Sequence, residues 1–304
     1  MVNRDFWLDR ISTAWSERPI LWLTGVRRVG KTTLAHTIPG VSYFDCELPR
    51  VRRVIEEDPE GFLEQGFSGP LVLDEVHRLE NPSEILKIAA DHFPSLRILA
   101  TGSSTLGASG RFRDTLTGRK RALHLSPVLF SELPAFGVRD IKKRLLHGGL
   151  PENLVAENFP EKDYAEWIDA FWARDIQEMF RLERRSAFLK LLEMLMLQSG
   201  GLCELTRMAT PCGVSRQTLV NYLKVLEETG AVHVIRPFAK NPNREITSMP
   251  KVYGFDTGFV CYAKGWRELR AEDMGLLWEH LVLDELKARF ASSEIFYWRD
   301  KQKH

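Results

Sequence analysis

The chain has 304 residues, of which 44% are hydrophobic and 27% charged, and its formal net charge is +1. This length suits about two globular domains, and the near-neutral charge excludes a strong overall attraction to nucleic acid or to an acidic membrane. No apolar run in the sequence approaches the ~20 residues that span a bilayer. The four cysteines lack the spacing of a metal or redox motif, which predicts free thiols in a reducing compartment. We therefore expect a cytoplasmic protein without a membrane segment.

The first 127 residues alternate between helical patterns and apolar runs. Residues 1–18 predict an amphipathic helix, and "PILWLTG" predicts a buried strand that ends at Gly25. Helical patterns, one of them interrupted by Pro59, separate the further predicted strands, which are "VSYFDC", "PLVLDEV", "LRILATGSS" and "RALHLSP". Strands that alternate with helices are typical of right-handed βαβ units. The expected fold is therefore α/β, with an open parallel sheet covered on both faces.

The pattern changes after Pro127. Residues 129–198 predict helices rich in Leu, Trp and Phe. The stretch from "GLCELTRM" to "VHVIRPF" predicts a helix, a turn, a second helix and a strand. The tail predicts a helix over 275–290 and a strand at "EIFYWRD".

The stretch "GVRRVGKT" fits the pattern GxxxxGK[ST] of a phosphate-binding loop between a strand and a helix. Its glycines allow successive backbone N–H groups to turn inward, and the following helix points its positive end at the same place. Lys31 is expected to contact the β and γ phosphates, and Thr32 to ligate Mg²⁺. The alternative is a glycine-rich turn that binds nothing. The predicted nucleotide contacts are Gly25, Arg28, Gly30, Lys31, Thr32 and Thr33.

The strand "LVLDE" ends in two carboxylates. An acidic residue at this end of a buried strand can hold the Mg²⁺ shell, which is the role predicted for Asp74. The next residue, Glu75, is predicted to orient and deprotonate an attacking water. On their own, the two residues fit a solvated strand end equally well, but the upstream loop favours the catalytic interpretation.

Polar residues follow the next strand, and arginines follow them. The end of "ILATGSS" is expected to open into the same crevice, where the hydroxyl of Thr101, Ser103 or Ser104 can bond the γ-phosphate or the water. The alternative is simple capping of the strand end. We expect Arg119 to neutralise charge on the transferred phosphoryl group, in its own chain or in a neighbouring subunit. This stretch contains a cluster of four arginines, most of which are expected to be solvated. The four are Arg111, Arg113, Arg119 and Arg121.

Together, these motifs and several downstream stretches resemble prokaryotic AAA-type P-loop ATPases that continue into a domain of unknown function. The downstream stretches are "GGLPE", "FWARDIQ", "TLVNYLKVLEETGAV" and "KVYGFDTGFV". The resemblance implies an AAA/STAND-like P-loop NTPase domain at 1–127 and a helical domain at 128–198. It also implies a winged helix-turn-helix at 199–256 and a partial nuclease-like α/β segment at 257–304.

The resemblance has two further implications. Such proteins carry a Gly-x-Pro element that touches the nucleotide from the second domain, and Pro151 in "GLP" matches it here; an ordinary interdomain turn is the alternative. Family members also continue past "YWRDKQKH" into an acidic strand that this sequence lacks, although Glu279 and Glu285 are present. A two-metal nuclease site needs carboxylates from both elements, so nuclease activity is not expected. The segment is therefore expected to be truncated, naturally or by engineering.

The predicted helix-turn-helix allows two interpretations. Ser215 is expected to cap the second helix, from whose start Arg216, Gln217 and Asn221 point outward, where base edges can be read. The alternative is a protein-docking or lid module built on the same hairpin. Only modest positive charge is expected on the wing, from Lys240, Arg244 and Lys251.

The sequence therefore predicts an enzyme that hydrolyses ATP with Mg²⁺ as a conformational switch coupled to a winged-helix module. One alternative is an ATP-gated DNA-binding regulator. Another is a nucleotide-stabilised module with little turnover that pairs with a protein partner or a second copy of the chain. The choice between ATP and other nucleoside triphosphates stays open.

Overall fold

The computed structural model describes residues 2–102, 116–180, 182–238 and 249–298, apart from the side chain of Met179. The chain forms two compact units, Met1–Leu125 and Ser126–His304. The finer division of the second unit into three domains stays a prediction. Within the described residues, no helix has both the length and the apolar composition that crossing a bilayer requires.

A five-stranded parallel sheet forms the centre of the first unit, which confirms the α/β fold predicted from the sequence. Its strands are β1 (Ile20–Thr24), β2 (Ser42–Asp45), β3 (Leu71–Asp74), β4 (Ile98–Thr101) and β5 (Lys120–His124). Their order across the sheet is β2-β3-β4-β1-β5, so β2 lies at one edge. Strands β1, β3 and β4 are almost wholly buried, as their continuous apolar sequences predict.

The helices of this unit are α1 (Asp5–Glu17), α2 (Lys31–His36), α3 (Pro49–Glu57), α4 (Pro59–Glu64) and α5 (Pro82–His92). Proline begins α3, α4 and α5, because the first helical turn needs no N–H donor from that residue. Pro59 therefore ends one predicted helix and begins the next, and the Asp58 carboxylate caps α4 by accepting from Gly61 N at 2.9 Å.

The hydrophobic core of the first unit forms where helices pack against the sheet. Ile55, Phe62 and Leu86, from α3, α4 and α5, pack in one cluster with strand residues such as Leu71 and Ile98. Burying each of these side chains contributes about 1.5–3 kcal/mol. Helix α1 buries residues at positions 7, 11, 14 and 15, the spacing of one helical face.

The register of the sheet sets which residues meet at its ends. Leu73 pairs with Ala100, and Leu23 with Thr101, so the carboxyl ends of β1, β3 and β4 lie along one edge. Lys120 pairs with Ile20, so the residues before β5 lie at the opposite, amino-terminal edge.

The second unit is mainly helical. Its helices are Ile141–His147, Pro151–Val155, Glu161–Ala170, Glu178–Phe180, Arg185–Leu197, Leu205–Cys212, Arg216–Glu228, Thr257–Lys264 and Ala271–Arg289. A π-helix, Phe171–Gln177, joins two of them, and 3₁₀ turns cover Phe130–Phe136 and Ser292–Glu294. The strands are β6 (Gly201–Leu202), β7 (Val232–Pro237), β8 (Lys251–Gly254) and β9 (Phe296–Tyr297), in the order β6-β8-β7-β9.

A helix, a tight turn and a second helix precede the antiparallel pair β7 and β8. Gly213 makes the turn with a φ of +65°, a conformation that favours glycine. Ser215 then caps the helix Arg216–Glu228, because its Oγ accepts from Thr218 N at 3.1 Å. Residues 239–248, which include Lys240 and Arg244, lie outside the described residues.

A buried ion pair ties three elements of the second unit together. Arg144, fully buried, donates to Asp284 Oδ2 at 2.8 Å, to Val128 O at 2.7 Å and to Thr257 Oγ1 at 3.1 Å. Burial raises the pKa of Asp284 to about 7, although the guanidinium opposes this shift. Asp284 is therefore a buried carboxyl group that titrates close to neutral pH.

The stretch "GGLP" packs beside this ion pair. Gly149 N donates to Asp256 Oδ2 at 2.6 Å, and a Cβ at Gly149 would lie 2.5 Å from Arg144 Nη2. Pro151 begins the helix Pro151–Val155. Packing within the second unit thus explains the second glycine, whereas the predicted contact of Pro151 with the nucleotide stays a prediction.

Candidate nucleotide-binding site

The predicted phosphate-binding loop connects β1 to α2 in a strained conformation. Gly25 has a φ of +150°, and a Cβ there would lie 2.8 Å from Leu125 O. Gly30 has a φ of +98° immediately before α2. Arg28, exposed at the turn, has a φ of +62°, which is uncommon for a residue with a side chain. Such strain persists where the surroundings enforce it, and it is concentrated in functional loops.

Two cations contact the carbonyl groups of this loop. Lys31 Nζ donates to Gly25 O at 2.9 Å and to Val26 O at 3.3 Å, which keeps the ammonium group beside the loop. Arg4, which is 4% exposed, donates from Nη1 to Val29 O at 3.2 Å. Arg4 thereby ties the start of α1 to the loop.

The carboxylate of Asp74 is the centre of the acidic part of the site. It is 3% exposed at the end of β3, and its Oδ2 accepts from Thr32 Oγ1 at 2.8 Å and from Tyr43 OH at 2.5 Å. Thr101 donates a short hydrogen bond to Oδ1. Burial and the hydrogen bond to Asp74 raise the pKa of Tyr43, which keeps its hydroxyl a donor. The structure thus brings Thr32 and Asp74 together.

Glu75 lies next to Asp74 in a left-handed backbone conformation, with a φ of +52°. Its N–H donates to Thr101 Oγ1 at 3.1 Å, and its Oε2 lies 3.1 Å from His77 Nδ1. Burial would raise the pKa of Glu75, but the close contact with His77 and the charge of Lys31 outweigh it, so the pKa lies below its usual value. Glu75 is therefore ionised at neutral pH.

The donor set suits a hard divalent cation. Mg²⁺ prefers oxygen ligands and binds through one or two protein groups together with phosphates and water. The hydroxyl of Thr32 and the carboxylate of Asp74 are such oxygen donors, and they lie side by side at the start of α2. These two residues would hold the cation.

The structure does not bring Arg119 to the loop of its own chain. Arg119 precedes β5 at the amino-terminal edge of the sheet, about five residues or ~17 Å along the strand from the loop side. Its Nε lies 2.6 Å from Asp91 Oδ1 on α5. This position gives no support to a role of Arg119 within the same chain, and both that role and one in a neighbouring subunit stay predictions. Arg121 lies 3.3 Å from Glu17 at the surface.

Of the other predicted residues, Thr33 is exposed, Thr101 is buried and the rest fall outside the described part. Thr33 is exposed on α2, next to Thr32. Thr101 is wholly buried, and its hydroxyl is used by Asp74 and Glu75. The predictions for Ser103, Ser104, Arg111 and Arg113 concern residues outside the described ranges.

Three residues of the site were not predicted from the sequence: Arg4, Tyr43 and His77. One signal pointed to Tyr43, because "VSYFDC" is a predicted strand whose end joins the same sheet edge. His77 follows Glu75 by two residues, a spacing that a turn brings together. We find no signal for Arg4, whose contact with Val29 spans 25 positions.

A strained loop between a strand and a helix, with a lysine at the loop and an acidic strand end beside it, defines a P-loop nucleotide-binding domain. Residues 17–134 match the family described as "AAA domain", and residues 138–270 match "Domain of unknown function (DUF8612)". The first unit is therefore an AAA-type P-loop ATPase domain, which confirms the resemblance seen in the sequence. Family and fold together support ATP binding by this domain.

Comparisons over the whole chain find a solved structure with a similar fold and two relatives in sequence. A Walker-type ATPase of Pyrococcus abyssi has a similar fold, with a TM-score of 0.54 and 15% identity over 87% of this chain and 96% of that chain. Two uncharacterized proteins, from Mycobacterium bovis and Mycobacterium tuberculosis, are each 29% identical over 316 residues. These alignments cover 99% of this chain and 70% of each relative.

Proposed function

We propose that this protein binds ATP with Mg²⁺ at the loop of its first unit and hydrolyses it. The observation that carries the proposal is the 2.8 Å contact between Thr32 Oγ1 and Asp74 Oδ2. It joins the hydroxyl that follows the loop lysine to the acidic end of β3, with Glu75 as the next residue. A loop that only shaped a turn would not need this arrangement.

Each residue has a distinct proposed role. Lys31 binds the β and γ phosphates, Thr32 and Asp74 hold the cation, and Glu75 accepts a proton from the attacking water. Bound Mg²⁺ neutralises charge on the phosphates. The lowered pKa of Glu75 supports its role, because a general base must be ionised before it can accept a proton.

The test compares two variants with a control. Glu75→Gln keeps the shape and removes the base, so we expect ATP binding by calorimetry to persist while phosphate release falls about 10²–10⁴-fold. Lys31→Ala is expected to abolish binding. Glu80→Gln, at an exposed glutamate of the same unit, should behave like the wild type. Wild-type turnover in Glu75→Gln would refute the assignment of the base.

We further propose that the nucleotide state is transmitted to a winged-helix module in the second unit. The helix, turn, helix and strand pair over 205–254 support this module. Hydrogen exchange of its amides, with ADP and with a non-hydrolysable ATP analogue, is expected to differ. Identical exchange would exclude the coupling. Pro151→Ala tests its proposed contact, since the difference should then shrink.

DNA is a second candidate partner, because Arg216, Gln217 and Asn221 are exposed at the start of their helix. Lys251 contributes little, since its Nζ lies 3.6 Å from Glu279 Oε2. A DNA mobility shift that weakens steeply with salt, and that Arg216→Ala reduces, is the expected result if DNA is bound. Binding of nucleotide without turnover in the wild type would instead favour the protein-interaction module, with a protein or a second copy as partner.

We place the protein in the cytoplasm. All four cysteines are free and buried, which supports a reducing compartment. Burial raises the pKa of Cys46 to about 12, so this thiol stays protonated and inert. Fractionation of the source cells, followed by immunoblotting, is expected to find the protein with cytoplasmic markers; recovery with the membrane or the medium would contradict this placement.

A further inference from the structure

Three hydroxyl groups hold the carboxylate of Asp74, and only that of Thr32 belongs to the phosphate-binding loop and its helix. Tyr43 OH lies 2.5 Å from Oδ2, and Thr101 donates to Oδ1. An ionised carboxylate offers about four acceptor positions. The three hydroxyls therefore leave about one acceptor position of the Asp74 carboxylate for a bound ligand.

Tyr43 reaches Asp74 from β2, the outermost strand on one side of the sheet. It lies on β2, where it pairs with Val72 of β3, two residues before Asp74. Its ring is half-buried and packs against His36 of α2, with ring centroids 3.9 Å apart. This packing restricts the orientation of the Tyr43 ring. The hydroxyl then makes a short hydrogen bond to a carboxylate, a class of bond about twice as strong as one between neutral groups.

We propose that Tyr43 is a positioning residue for the metal, because its hydroxyl holds the carboxylate of Asp74 in the orientation that receives a nucleotide-bound divalent cation. This inference rests on the proposed function, since it requires that Asp74 face such a cation. Tyr43 acts through Asp74 alone. Binding of nucleotide without a cation is therefore independent of the Tyr43 hydroxyl.

The experiment uses Tyr43→Phe, which keeps the ring and removes the hydroxyl. Mn²⁺ binding in the presence of ADP, measured by electron paramagnetic resonance, is expected to weaken about 10–100-fold, the usual cost of losing a partner of a metal ligand. ADP affinity in EDTA should stay unchanged. The matched control is Tyr262→Phe, which removes the hydroxyl of a half-buried tyrosine in the second unit, and its Mn²⁺ affinity should stay within about twofold of the wild type, well inside that loss.

A double-mutant cycle separates positioning from a general effect on folding. If Tyr43 acts through Asp74, adding Tyr43→Phe to Asp74→Asn is expected to cause no further loss of Mn²⁺ affinity. Unchanged Mn²⁺ affinity in Tyr43→Phe, an equal loss of ADP affinity in EDTA, or additive losses in the double variant would each overturn the inference. A wild-type protein that binds neither ADP nor Mn²⁺ would refute the proposed function instead.

Discussion

His77 Nδ1 lies 3.1 Å from Oε2 of Glu75, so the proposed base is held by a residue two positions further along the chain. The turn that makes this contact possible begins at Glu75 itself, whose φ of +52° reverses the backbone before the 3₁₀ turn Val76–Arg78. The cost of the left-handed conformation, about 1–2 kcal/mol, is offset by the bonds that the residue makes. The contact also lowers the pKa of Glu75.

Replacing His77 with alanine is expected to raise the pKa of Glu75, because the contact with His77 is the largest of the effects that lower it. The acid limb of the profile of kcat against pH should then move to higher pH, while turnover well above that limb changes less. His92→Ala, at an exposed histidine of α5, is the control. An acid limb that coincides with that of the wild type would show that His77 does not tune the base.

Gly25→Ala is expected to destabilise the loop, because the new Cβ would lie 2.8 Å from Leu125 O at a φ of +150°. Gly40→Ala is a matched control: Gly40 has a φ of +67°, but its Cβ would meet no atom within 4 Å. Backbone strain alone costs about 1–2 kcal/mol. Thermal melting should therefore show a larger loss for Gly25→Ala, together with loss of ADP binding. Equal losses in the two variants would mean that the contact with Leu125 is unimportant.

The elements that were predicted correctly are those that depend only on a short stretch of sequence. Buried parallel strands are continuous apolar runs, and the loop has a fixed spacing, so β1, β3, β4 and the loop between β1 and α2 were all predicted. The bond from Tyr43 to Asp74 was not predicted, because it depends on how two strands pair and in which register. Nothing in the sequence showed that Arg119 precedes the strand Lys120–His124 at the amino-terminal end of the sheet, because this depends on where the strand begins and how it pairs.

Asp284→Asn is expected to change how stability depends on pH. The folded-state pKa of Asp284 is raised to about 7 from 3.8, so the stabilisation from its bound proton is complete below about pH 4 and is lost as pH rises through 7. Asparagine carries no charge and can still accept from Arg144. The Asp284 carboxyl should therefore lower the stability of the wild type as pH rises from about 4 to 7, and Asp284→Asn should remove this loss.

His280 determines how stability changes on the acid side of the dependence on pH. Its pKa is lowered to about 4 by burial, so its contribution to stability is complete above about pH 6.5 and is lost as pH falls through 4. Asp284→Asn should therefore leave a stability that rises from pH 4 to 6.5. Urea unfolding across this range tests both slopes, with the exposed Glu268→Gln as control. A profile of Asp284→Asn that coincides with that of the wild type between pH 4 and 7 would refute the assignment to Asp284.

Arg119→Ala separates the two positions in which this arginine was predicted to act. Its guanidinium bonds Asp91 at the end of the sheet away from the loop, so we expect a single chain to gain little from it during turnover. If a neighbouring subunit uses Arg119, turnover should fall at protein concentrations where subunits associate, and dilution of the wild type should lower its specific activity to the level of the variant. Sedimentation at the same concentrations measures the association. A variant that loses turnover as a monomer would contradict the placement of Arg119 at the far edge.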